Sequence, residues 1–160
     1  MFDINVIIIL ATIAGNSILS GLFFVFSNTI MKAFREIEPE ASIKAMQQIN
    51  ITIINPFFMI IFMGTPLLSL YLVIAAWTGV FGAAGYLLIP GGLIHIIGSF
   101  IVTIVANVPL NNRLDVVDPK SSTGRQMWEE YDTKWVPWNH VRTVAAFIAV
   151  CCLSIGLLLI

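Results

Sequence analysis

The sequence predicts an all-α integral membrane protein, a four-helix bundle with both termini on the extracytoplasmic side. Three observations predict it. Only 11% of the residues are charged, less than half the share of an ordinary soluble domain, so a water-soluble fold of this size has nowhere to bury so much apolar surface. Four apolar runs each approach or exceed the roughly 20 residues of helix that cross a bilayer core. Every Lys and Arg falls in one of two stretches of the chain.

The runs define one transmembrane domain over residues 1–160, with spans at about 4–30, 51–74, 84–106 and 141–160. Runs this long do not fit the strands of a small soluble sheet. They lack the polar–apolar alternation of a transmembrane barrel. The first run is not expected to be a cleavable leader, because Asp3 stands where a basic segment would be and the apolar core is too long. The adjacent Cys151 and Cys152 read as small helix residues rather than a disulfide pair.

Charge placement orients the bundle. Lys32, Arg35 and Lys44 follow the first span, and Arg113, Lys120, Arg125, Lys134 and Arg142 lie between the third and fourth or at the mouth of the fourth. The turn between the second and third spans, Trp77 to Gly82, has no charge. Positive residues favour the cytoplasm, so both long loops are expected inside, in the plasma membrane of a bacterium. Short interfacial helices are expected in both. Pro39 suits the first turn of one running to Gln48 and into the second span. Thr123 with Gln126 reads as a capping box for the other, whose Trp128, Tyr131, Trp135 and Trp138 form an aromatic stripe at helical spacing.

Polar residues inside hydrocarbon are costly and normally face the bundle interior. In the first span Thr12, Asn16, Ser20 and Ser27 lie near one face. In the third, His95, Ser99, Thr103 and Asn107 recur every four residues and form a stripe. Asn16 and His95 lie at similar depths, about 20 Å from the inner ends of their helices, and are expected within reach of each other. A second cluster gathers at the inner mouth: Gln47, Asn50 and Asn55; Asn107, Asn111 and Asn112; Asn139, His140 and Arg142, with Pro56 and Pro109 among them. A titratable imidazole and a fixed cation in one polar pocket mark a candidate site. No metal-ligand spacing, phosphate loop, nucleotide fingerprint or Ser–His–Asp set is visible, and no basic stripe suggests nucleic acid.

Four segments, GLFFVFSNTIMKAF, EPEASIKAMQQINITIINPFF with GT following, NVPLNNRL and WVPWNHVRT, resemble the small membrane proteins of the anthrone oxygenase family. The likeness is to its bacterial branch, largely a domain of unknown function. The motif positions carried by the resemblance are Asn50, Asn55 and Pro56, then Asn107, Pro109 and Asn111, then Trp138, Asn139, His140 and Arg142. It implies four membrane helices, with oxygenation of anthrones to anthraquinones as the founding activity.

The first functional expectation is a monooxygenase-like oxidoreductase acting without a cofactor on a planar aromatic or quinone-like compound. His140 or His95 is the candidate base. Arg142 and the side chains of Asn16, Asn50, Asn55, Asn107, Asn111 and Asn139 are candidate substrate and oxyanion contacts, and Trp135 and Trp138 would stack on the rings. A second expectation is a haem b protein with His95 as axial ligand. A third is a non-enzymatic subunit or a small-solute passage. The expected partners are the lipid bilayer, a hydrophobic small molecule and a second copy of the chain, packed through Gly82, Gly85, Gly91, Gly92 and Gly98.

Overall fold

A computed structural model describes residues 3–160. Five helices account for almost all of them: α1 (Ile4–Arg35), α2 (Pro39–Thr52), α3 (Pro56–Trp77), α4 (Gly82–Asp115) and α5 (Ser122–Leu157). All but α2 are long and apolar enough to cross a membrane, and the protein is an integral membrane protein. They run alternately up and down, each beside the next in the ring α1, α3, α4, α5. The two charged loops meet at one end of the bundle. There Arg35 Nε and Nη2 donate to Asp132 at 2.8 and 3.0 Å, and Gln47 Nε2 donates to the backbone oxygens of Leu114 and Val117 at 2.9 and 3.0 Å.

Local chemistry sets the helix ends. Asn55 accepts from the Phe58 amide at 3.0 Å and Pro56 takes the first position of α3, an arrangement that starts a new helix. The second crossing therefore begins at Pro56 rather than near residue 51, and Ile51 and Thr52 belong to α2. At its first-turn position Pro56 frees no carbonyl. The cap of α5 is Ser121, whose Oγ accepts from Gly124 N at 2.9 Å, two residues before the expected Thr123. The uncharged turn between α3 and α4 needs Gly79 at φ 88°, a conformation other residues enter only with strain.

The aromatic segment is not a separate interfacial helix. It runs straight on into the last crossing as one helix of 36 residues, about 54 Å long against roughly 30 Å of hydrocarbon. Its charged half, up to about residue 136, therefore stands clear of the bilayer core. Trp128, Tyr131 and Trp135 turn inward and stack in succession, with centroids 5.7 and 5.6 Å apart, against Met31, Ile43, Met46 and Leu114. A second apolar core, with Ile9, Leu72, Leu88 and Leu153, fills the uncharged end. Between the two lies a buried polar belt, and that belt carries the candidate chemistry.

Candidate functional site

The belt is built on one helix face. His95, Ser99, Thr103 and Asn107 are all buried. At 3.6 residues per turn each four-residue step overshoots by roughly 40°, so three steps of pure α-helix would swing the stripe well off the interior. Two π-helical segments, His95–Ile101 and Thr103–Asn107, cancel the drift, because i→i+5 bonding winds more slowly. A third, Phe26–Ile30 in α1, lies where buried Ser27 meets α5.

Arg142 faces this stripe from α5, only 6% exposed. Its Nε donates to Asn139 Oδ1 at 2.8 Å and its Nη1 to Thr103 Oγ1 at 3.4 Å. The guanidinium lies over the rings of Phe23 and Trp135, 4.1 and 4.9 Å from their centroids. Asn139 is itself pinned, its Nδ2 donating to Phe23 O at 2.6 Å and Ser27 Oγ at 2.8 Å. Among the described residues no carboxylate forms an ion pair with Arg142. Desolvating such a cation costs several kcal/mol, and each ring returns roughly 0.5–2 kcal/mol. The remainder is an electrostatic demand for an anion.

A cavity of about 290 Å³ opens in front of the guanidinium. Phe23, Phe26 and Trp135 wall one side, Phe58, Met59 and Phe62 another, and Asn50, Asn111, Asn112 and Asp115 form a polar end. The amide of Asn111 has a defined orientation. Its Oδ1 accepts from Tyr131 Oη at 2.9 Å and Trp135 Nε1 at 2.8 Å, and an indole nitrogen only donates. The Nδ2 hydrogens of Asn111 are thus turned away from that pair and left to the cavity. Asp115 Oδ1 accepts from Asn50 Nδ2 at 2.9 Å. The site combines aromatic walls, two sources of N–H donors and one carboxylate.

Of the residues singled out from sequence, Asn50, Thr103, Asn111, Asn112, Trp135 and Arg142 line this cavity, and Asn139 braces Arg142 from behind. Asn107 is buried alongside, its Nδ2 donating to Trp135 O at 3.1 Å while its Oδ1 has no partner. Asn55 is committed to capping α3 and does not line the cavity. His140 and Trp138 are also outside it, and both are exposed. Two residues on a helix are about 200° apart, so burying Arg142 turns His140 outward. The expected pairing of imidazole and guanidinium in one pocket does not form. His95 is buried but lies eight residues, about 12 Å, deeper than Thr103. Sequence reasoning missed Asp115 and the rings of Phe23, Phe58 and Phe62. Asp115 was signalled, since Asn111 and Asp115 continue the four-residue steps beyond Asn107; nothing in the spacing marks the phenylalanines.

No hydrogen bond joins Asn16 to His95. Both ring nitrogens of His95, Oδ1 of Asn16 and Oγ of Ser69 are buried without a partner among the described residues, at about 1–3 kcal/mol for each unsatisfied group. A haem beside His95 does not fit. A Cβ at Gly92 would come within 2.9 Å of Ser69 O, and one at Gly98 within 2.7 Å of the Ala145 side chain. Helices this close on both sides of His95 admit no macrocycle. Among the described residues no group of three or more His, Cys, Asp or Glu side chains converges to hold a metal ion.

Ion pairs fasten the charged end around the cavity. Glu130 receives Arg113 at 2.7 and 2.6 Å and Lys134 at 2.8 Å. These two cations, Arg113 foremost, hold its carboxyl at about 2, well below the usual carboxylate range.

No curated protein and no solved structure matches the chain. The sequence profile described as anthrone oxygenase matches residues 57–152, which contain α3 apart from Pro56, all of α4, most of α5, and Arg142. That match covers more than half of the sequence, and it agrees with the four membrane-crossing helices: the chain belongs to the anthrone oxygenase family.

Proposed function

We propose that the protein is a membrane oxygenase acting on a planar, electron-rich aromatic or quinone-like compound, which it holds as an oxyanion beside Arg142. The observation that carries the reading is a buried guanidinium with no carboxylate partner among the described residues, facing a cavity walled by aromatic rings. A compound of the anthrone type has a methylene between carbonyl-conjugated rings. Asp115, oriented by Asn50, takes one C–H proton, and the electron pair moves onto the ring system and its oxygen. Arg142 and the Nδ2 hydrogens of Asn111 stabilise that oxyanion as it forms. The electron-rich anion then reacts with dioxygen, and the methylene becomes a carbonyl with release of one water for each O2 consumed. The substrate is hydrophobic and reaches the cavity from the bilayer. The charged end faces the cytoplasm, following the distribution of Lys and Arg.

Oxygen uptake by purified protein with a soluble anthrone tests the reading. Wild type is expected to consume one O2 per substrate, while Asp115→Asn and Arg142→Gln each lose at least about a hundredfold in rate, within the range a positioned base or oxyanion donor supplies. Undiminished turnover in both variants would remove the mechanism.

A further inference from the structure

We propose that His95, Asn16 and Ser69 form a second internal site, separate from the aromatic cavity, whose ligand is water. The three side chains come from three helices and are at most 1% exposed. Four of their polar atoms have no partner among the described residues: Nδ1 and Nε2 of His95, Oδ1 of Asn16 and Oγ of Ser69.

Close helix contacts bring them to one level. A Cβ at Gly15 would collide with the Thr65 hydroxyl, so Asn16 lies level with Thr65, one turn from Ser69. Gly92 lies against the backbone oxygen of Ser69. His95 is three residues beyond Gly92, about 4.5 Å towards the level of Thr65. The fourth helix carries the fully buried Ala146 and Ala149, and none of its described side chains supplies a hydrogen bond to these atoms. His95 also opens a π-helical segment, the kind of local widening that recurs at functional sites.

Chemistry and space together select the ligand. A neutral imidazole has one N–H donor and one acceptor nitrogen, a hydroxyl does both, and the amide oxygen accepts. An occupant must therefore donate and accept at once, to two or more partners. The close approaches at Gly92 and Gly98 limit it to the smallest such molecule. Water meets both conditions, and buried waters characteristically bridge two to four otherwise unsatisfied groups.

The chain has two histidines, so His140→Gln leaves His95 as the only imidazole. Histidine-selective 15N labelling of that variant in lipid nanodiscs, followed by water-to-ring magnetisation transfer, reads the site directly. The expected result is clear transfer from water to the His95 ring, with nitrogen shifts of a hydrogen-bonded neutral imidazole. Ser69→Ala is expected to reduce the transfer at least twofold, and Asn16→Leu to reduce it further. A ring that receives no transfer, or that bonds directly to the Asn16 amide or the Ser69 hydroxyl, overturns the proposal. The measurement uses resting protein without substrate, so its failure leaves the aromatic cavity untouched.

Discussion

Asn139 Oδ1 accepts from Arg142 Nε at 2.8 Å while its own Nδ2 donates to Phe23 O and Ser27 Oγ. That relationship lets a cation reside in the bundle without a carboxylate. The amide satisfies one N–H and aims the guanidinium, yet leaves its charge uncompensated. Asn139→Asp tests this. A carboxylate there would pair the cation internally, and binding of an anionic aromatic ligand is expected to weaken at least about tenfold, in line with the worth of a close charge pair. Ligand titration by fluorescence quenching checks it, with circular dichroism confirming helical content.

Trp135 serves the cavity twice, as a ring beneath Arg142 and as the donor that orients Asn111. Trp135→Phe keeps an aromatic ring but removes the N–H and part of the buried indole. The expected loss is about 1–3 kcal/mol of stability, from the hydrogen bond and the cavity together. Ligand affinity falls as well, because the Asn111 amide is then free to flip. Thermal unfolding and ligand titration of the purified variant measure the two effects separately.

The clamp on Glu130 predicts a pH response. Its folded-state carboxyl titrates at about 2, below its ordinary value of 4.5. A depressed pKa means the ionised form is favoured by folding, so the contribution is complete above about pH 4.5 and fades as pH falls towards 2. Thermal melts in detergent between pH 6 and pH 3 should show wild type losing stability faster than Glu130→Gln, with the two curves converging at the acid end.

Gly92→Ala should strain the α3–α4 contact. The added Cβ would come within 2.6 Å of Val73 Cγ2 and 2.9 Å of Ser69 O, and the backbone oxygen cannot rotate aside. A loss of about 1–3 kcal/mol is expected, typical of an overpacked core. A melt equal to wild type would mean that the helices separate there at no cost.

The membrane architecture was legible in the sequence because hydrocarbon imposes long apolar runs and expels charge. The buried stripe on α4 was legible from its four-residue repeat, although the π-helical turns that keep His95 and Asn107 on one face were not. The candidate site was only partly legible. Asn50, Asn111 and Arg142 were brought together at the charged end from loop polarity, while Trp135 was marked only by the aromatic stripe. His140 shares a short motif with Arg142, but proximity in sequence says nothing of helical phase, and burying Arg142 turned it outward. Trp138, one turn from Arg142, is exposed outside the cavity all the same. Asn55 resembled a ligand contact because caps and ligand contacts draw on the same polar side chains. The aromatic walls were hidden because Phe23, Phe58 and Phe62 are indistinguishable in sequence from residues that face lipid.

The account stands on Arg142 as a receptor for an aromatic oxyanion, and an anaerobic absorbance titration with an anthrone reaches that claim most directly. With oxygen excluded, wild-type protein near neutral pH is predicted to shift the bound ligand to the long-wavelength spectrum of its anion, and Arg142→Gln to leave it as the neutral form. A wild-type spectrum that stays neutral at saturation, or an anion that forms equally well in Arg142→Gln, would contradict it.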